Sequence, residues 1–166
     1  MAEAYTIRAK RWFSQAWKSN WLAHAGRTGV AATVSLAVAS CFKLPEAYWA
    51  AVTTIIVTQS TLGAAWAVSK QRLIGTALGA AAGALLVSYV APGLIIFGLA
   101  IFALGLVCAL LHLERSAYRF AGITLTIIML IPRAQAPGVT GLHRFIEVSI
   151  GIAVGLAFAA LWPLRE

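Results

Sequence analysis

Six apolar segments, separated by short polar or helix-breaking stretches, fill the chain from about residue 24 onward. They run from about His24 to Phe42, Ala47 to Leu62, Ser69 to Ala91, Leu94 to Leu113, Tyr118 to Ile131 and Gly141 to Trp162. Lys43-Leu44-Pro45-Glu46 reads as a tight turn, because proline ends one helix and opens the next. Pro92-Gly93, His112-Leu113-Glu114-Arg115-Ser116 and Pro132-Arg133-Ala134-Gln135-Ala136-Pro137-Gly138 make further breaks. Segments of this length and apolarity predict an all-α, polytopic membrane protein with six transmembrane helices. Residues 1–23 have a different rhythm. Arg8, Arg11, Gln15 and Lys18 share one helical face and Trp12, Phe13, Trp17 and Trp21 the other, with Lys10 out of pattern. Such a helix lies in the membrane interface, rings inward and cations toward the headgroups. The expected division is therefore an amphipathic N-terminal helix over 1–23 and a membrane domain over 24–163.

The third segment carries a pattern that returns later. Gly75, Gly79 and Gly83 stand four apart and share one helix face, a stripe that lets another backbone come close. Shifting the chain by 72 positions places Arg72 on Arg144, Ile74 on Ile146, Gly79 on Gly151 and Gly83 on Gly155. The same shift places Thr54-Ile55-Ile56 on Thr126-Ile127-Ile128. Arginine is scarce in the apolar portion, so the Arg72/Arg144 match carries most of the weight. The segments thus form two three-helix repeats, about 24–92 and about 93–163. A repeat with an odd number of spans inverts its own topology, as in many transporters.

Charge sets the orientation. With six spans both termini share a side, and that side collects Arg8, Lys10, Arg11, Lys18, Arg27, Lys70, Arg72, Arg115, Arg119 and Arg165. The opposite side holds Lys43, Arg133 and Arg144. Cytoplasmic loops retain cations, so both termini are expected in the cytoplasm. Arg72 is then expected near the cytoplasmic mouth and Arg144 near the opposite one. No signal peptide is visible, since the first apolar run follows a basic segment, and the N-terminus reads as retained.

Composition narrows the function. The chain is 61% hydrophobic with a mean hydropathy of +0.85, beyond what a soluble domain of 166 residues can bury. The net charge of +8 is explained by basic residues flanking spans, so no nucleic-acid partner is expected. Cys41 and Cys108 lack metal-ligand spacing and read as small core residues. There is no aspartate, no phosphate-binding loop and no metal cluster, and His24, His112 and His143 fall far apart in the expected topology. No enzyme, cofactor or metal is expected.

What remains is a transport path. Two arginines, with Thr54, Thr58 and Gln59 on the second segment and Thr126 on the fifth, favour a small anion. Arginine suits a carboxylate because its fork donates two parallel hydrogen bonds. Threonine in lipid also bonds its own backbone, which is the structural alternative for Thr54, Thr58 and Thr126. Glu147 follows Arg144 by three positions on the same face, and its repeat mate is Gly75. It reads either as the ion-pair partner that lets Arg144 be buried or as a carboxylate that takes up a proton. Gly75, Gly79, Gly83, Gly151 and Gly155 are assigned to helix packing.

Pro45-Glu46-Ala47-Tyr48-Trp49-Ala50, then Gln59, then Arg72-Leu73-Ile74-Gly75-Thr76 with Gly79 and Gly83, resembles the membrane domain of the fusaric acid resistance-like, aromatic acid exporter superfamily. Arg144-Phe145-Ile146-Glu147 followed by Gly151 looks like the last-span motif of that family. The resemblance covers about residues 24–163 and implies a six-helix unit that exports aromatic or other organic acids. It also implies kinship with plant aluminium-activated malate transporters, where paired subunits form one anion pathway lined by basic residues. Arg72 and Arg144 match those positions. Larger family members have a cytoplasmic domain and a second membrane half, which this chain is expected to lack. The resemblance therefore favours a homodimer or higher oligomer. The alternative is a structural or accessory membrane subunit with no transport of its own.

Overall fold

A computed structural model describes residues 21–59, 61–131 and 135–163. Among them are six helices and no strand: α1 (Trp21–Cys41), α2 (Tyr48–Val57), α3 (Leu62–Tyr89), α4 (Leu94–Leu110), α5 (Arg115–Leu130) and α6 (Pro137–Leu161). The amphipathic segment expected over 1–23 lies outside the described residues, apart from its last three, which open α1.

Two of these helices, α3 and α6, are long and apolar enough to cross a bilayer, and they form the centre. Gly141 near the start of α6 meets Ala80 in the second half of α3. Ala159 near the end of α6 joins Ala65, near the start of α3, in one apolar cluster with Val57, Val148 and Ile152. The two therefore run antiparallel. Helix α2 packs on α6 and α5 packs on α3, while α1 lies against α2 and α6 and α4 against α5. A second cluster, Leu104, Ala121, Leu125 and Met129, seats α4 on α5. The outward face of α4 is apolar and open, with Leu94, Ile95, Leu99, Phe102 and Leu110 all more than half exposed. A surface like this suits hydrocarbon rather than water.

The second apolar segment departs from expectation. The helix stops at Val57 instead of Leu62, and α3 starts at Leu62 instead of Ser69. Thr58 turns extended, and the Thr61 side chain caps α3 by accepting from the Ala64 N–H at 3.3 Å. The cause is local: Thr58-Gln59-Ser60-Thr61 offers side-chain oxygens that compete for backbone groups, which favours caps over helix interior. Ten residues of α2 rise only about 15 Å, half of a hydrocarbon core.

Helices α1 and α4 close alike. Leu44 N–H bonds to the Ala39 carbonyl and Lys43 N–H to that of Ser40. Leu113 and His112 repeat this on Cys108 and Ala109. This pattern needs a left-handed residue just past the helix, normally glycine. Lys43 (φ 53°) and His112 (φ 52°) fill it here.

Candidate functional site

Among the described residues three arginines are buried in the helix bundle: Arg27 at 0% exposure, Arg72 at 4% and Arg144 at 3%. Each meets a different set of partners. Arg27, on α1, donates to the Gln59 carbonyl at 2.6 Å and to the Trp162 carbonyl at 2.9 Å. These lie at the C-terminal ends of α2 and α6, where helices leave carbonyls without intrahelical partners and carry partial negative charge. Arg27 is thus a shared cap that ties three helices together. The His24 ring nitrogen, 3.5 Å away, adds little. Replacing Arg27 with glutamine should lower stability by about 2–4 kcal/mol, the worth of two charge-assisted bonds less what water restores. His24→Ala should be near neutral. A melting comparison checks both, and equal melting of Arg27→Gln with the parent would mean the cap is dispensable.

Arg72 is the eleventh residue of α3 and points across to α2 and α5. Its Nε donates to Thr53 Oγ1 at 3.1 Å, and its guanidinium lies 4.9 Å from the centre of the Phe120 ring. Among the described residues no carboxylate is within ion-pair distance of it, and its two terminal nitrogens donate no hydrogen bond. Arg144, on α6, lies 3.8 Å from the centre of the Trp49 ring and pairs with Glu46 at 3.4 Å and Glu147 at 3.6 Å. Glu147 in turn accepts the Glu46 N–H at 3.1 Å, fastening the start of α2 to α6.

The two arginines do not sit at opposite mouths as the topology count suggested. Thr53 and Trp49 are one turn apart on α2, so the guanidiniums meet that helix roughly 6 Å apart along its axis. They are near enough to repel each other.

The glycine stripes meet backbone. A Cβ on Gly79 would overlap the Ala121 carbonyl and come within 2.9 Å of Thr124 Cβ, and one on Gly151 would overlap the Ala50 carbonyl and come within 2.6 Å of Thr53 Cβ. Gly75 faces Ala117 and Phe120, Gly83 faces Ile128, and Gly155 faces Val57. These contacts equate Ala50 with Ala121, Thr53 with Thr124 and Val57 with Ile128, a displacement of 71, whereas α3 and α6 correspond at 72. The aromatic partners obey the same rule, since Trp49 answers to Phe120. The ungapped match of Thr54 with Thr126 is therefore off by one residue in space.

The polar residues expected along the path are bound to backbone. Thr54 Oγ1 is within 3.0 Å of both the Ala50 and Gly151 carbonyls, which joins α2 to α6. Thr58 donates to Thr54 at 2.7 Å, Gln59 Nε2 to Ile56 at 2.9 Å and Thr126 to Gly122 at 2.7 Å. A cavity of about 280 Å³ opens at the α1–α2 turn, lined by Pro45, Glu46, Gln135, Thr140, His143, Arg144 and Glu147. Another of about 260 Å³ lies between the first half of α3 and the α4–α5 turn, where Lys70, Gln71, His112 and Glu114 line it. There Gln71 binds both Glu114 and Ser116. Among the described residues no group of His, Cys, Asp and Glu could hold a metal ion.

The family model for fusaric acid resistance protein-like chains matches residues 32–158. The protein belongs to this family. Neither a curated protein nor a solved structure matches the chain. The fusaric acid resistance-like family is one of membrane proteins of the transporter kind, which accords with α3 and α6 as apolar, span-length helices. The matched region contains Glu46, Trp49, Thr53, Arg72, Phe120, Arg144 and Glu147, the whole buried charge cluster, and leaves out Arg27.

Sequence reasoning did not single out Glu46, Thr53, Phe120 or Arg27 as site residues. Glu46 read as part of a turn, although it stood in the Pro45-to-Ala50 motif beside Trp49. Thr53 and Phe120 gave no separate signal. Arg27 was legible as an arginine between Gly26 and Gly29 inside an apolar run, a costly placement that asks for a partner.

Proposed function

We propose that the protein moves small organic anions, aromatic carboxylates among them, across the bacterial inner membrane as a carrier or channel, working as a homodimer. Arg72 is the observation that carries this reading. A guanidinium at 4% exposure, tethered through Nε to Thr53 and without a carboxylate among the described residues, keeps its outer edge for an anion. Two parallel bonds from that edge match a carboxylate. Arg144 one turn away adds positive potential in a low-dielectric surround, where charges act over longer range. Fusaric acid, named in the family description, is itself an aromatic carboxylic acid.

In this reading the six helices all cross the membrane as two inverted repeats. The exchange of partners supports it: α2 of the first half packs on α6 of the second, and α5 of the second on α3 of the first. The equivalent contacts that Gly79 and Gly151 make with their neighbouring helices, and that Arg72 and Arg144 make with Phe120 and Trp49, support it as well. Helix α2 is short for a span, but the first residue of its non-helical continuation is shielded by protein. Thr58 is 4% exposed and the Gln59 carbonyl takes a bond from Arg27, the condition under which irregular backbone is tolerated at membrane depth. With both termini cytoplasmic, a single cysteine at Ala2 or Glu166, in a background without Cys41 and Cys108, should resist an impermeant thiol reagent in intact cells. Labelling of either from outside would reverse the topology.

The test of function is uptake of benzoate into proteoliposomes. Arg72→Gln should lower flux at least tenfold while leaving melting nearly unchanged, because it orphans one threonine hydroxyl and no charge. Full flux in that variant removes Arg72 from the path. An accessory-subunit reading has one observation in its favour: Thr54, Thr58, Gln59 and Thr126 are all bonded to backbone. Absence of flux in the parent protein would favour it.

A further inference from the structure

Two of the cavities answer to one another. One, of about 280 Å³, lies between the α1–α2 turn and the first half of α6, and the other, of about 260 Å³, between the α4–α5 turn and the first half of α3. The displacement of 72 that carries α3 onto α6 places Gln71 on His143, and the displacement of 71 that carries α2 onto α5 places Glu46 on Ala117. All four of these residues line their cavities. The turns correspond too, since each contains a left-handed residue, Lys43 in one and His112 in the other. Because α3 and α6 run antiparallel, the two cavities lie toward opposite ends of the bundle. They differ at one point. Arg144 lines the first, whereas Arg72, its counterpart, does not line the second. Gln71, next to Arg72 in the chain, is tied to the α4–α5 turn instead: its amide donates to Glu114 and accepts from Ser116. Ala117 lines the same cavity, and Phe120, three residues further along α5, lies under the Arg72 guanidinium. Three residues of helix rise about 4.5 Å, so the lining ends less than one turn from the ring on which Arg72 rests.

We propose that the cavity at the α4–α5 turn is the second mouth of the anion path, that it admits an organic carboxylate from the cytoplasm to Arg72, and that Gln71 is its latch. This rests on the anion-transport reading above. Lys70 and His112 line the mouth, and both can donate hydrogen bonds to a carboxylate. The latch is suited to release. Glu114 is exposed, and hydrogen bonds at such a place exchange for bonds to water at little net cost. With Gln71 withdrawn from the turn, the cavity extends to the terminal nitrogens of Arg72, the edge that donates to nothing among the described residues. One cavity thus reaches its arginine while the other is latched short of it, and exchange of these two conditions between inverted repeats opens the path at each end in turn.

Benzoate uptake into proteoliposomes and arginine labelling by phenylglyoxal, read for each peptide by mass spectrometry, are the measurements on the full-length protein. Ala67 is exposed and lines the cavity, so Ala67→Trp fills the mouth without entering the core. It should lower uptake on the order of tenfold with unchanged melting, whereas Ala81→Trp, exposed on the same helix and lining neither cavity, keeps full uptake. Gln71→Ala should speed the labelling of Arg72 about tenfold by raising the open population, and benzoate should slow it again. Arg27 should label as in the parent, which separates an opened mouth from a loosened fold. Parent uptake that persists in Ala67→Trp, or that is lost equally in Ala81→Trp, overturns the inference and leaves the anion reading standing. Arg72 labelling that is unchanged in Gln71→Ala, or that rises together with Arg27, does the same. If Gln71→Ala does not fold, the two tryptophan variants decide. No benzoate uptake by the parent overturns the anion reading and this inference together.

Discussion

Arg144→Gln should destabilise the protein by roughly 3–5 kcal/mol, because it breaks the ion pair with Glu147, which is 1% exposed. In a chain of this size that corresponds to a fall in melting temperature on the order of 10 °C. The Trp49 ring loses its stacked guanidinium at the same time. Adding Glu147→Gln should restore most of the loss. The remaining acid, Glu46, is 22% exposed and lines the cavity at the α1–α2 turn, so it is less buried than Glu147. Arg144→Lys should fall between the two, since lysine keeps the charge but not the planar face or the fork. Thermal melting of the four proteins, followed by tryptophan fluorescence, makes the comparison. If Arg144→Gln melts like the parent, the ion pairs carry no stability. If the double variant stays as unstable as the single, stacking on Trp49 outweighs the charge. Flux should not return in the double variant.

Gly79→Ala and Gly151→Ala should each cost about 1–3 kcal/mol, although alanine normally favours a helix over glycine. At both positions the added carbon runs into a backbone carbonyl, of Ala121 and of Ala50, and neither can move without its helix. Leucine at either place should prevent folding. Gly83→Ala and Gly155→Ala should do less harm, because the nearest atoms, at 3.1 Å and 3.2 Å, belong to the side chains of Ile128 and Val57. Gly26→Ala and Gly98→Ala meet nothing within 4 Å and should be neutral or stabilising by up to about 1 kcal/mol. The rank order is the test. A set of six variants with equal melting temperatures would place the stripes against lipid rather than against helices.

Much of this architecture was visible in the chain itself. Apolar run lengths and breakers located all six helices, because hydrophobic surface and proline or glycine breaks act locally. Four-residue glycine spacing found the packing stripes, since a shared helix face follows from helix geometry alone. The Arg144–Glu147 pair was legible for the same reason: three residues apart on one helix are neighbours wherever the helix goes. The early stop of α2 was less visible, because its four-residue polar tail is a weak signal inside an apolar run.

Partnership between helices is what the sequence did not reveal. Nothing in the chain puts Thr53 and Phe120 beside Arg72, or Glu46 and Trp49 beside Arg144, because these contacts join segments far apart in sequence. The helix-to-helix fit chose them. Glycine lets α5 and α2 approach so closely that the register is set by backbone contact, and that register lies one residue from the ungapped repeat. The meeting of Arg72 and Arg144 along α2 was likewise decided in three dimensions, since span position fixes a Cα and not where a long side chain ends. Sequence determined the helices, the stripes and the scarcity of carboxylates. Tertiary packing decided which arginine received them, leaving Arg144 with two and Arg72 with none among the described residues.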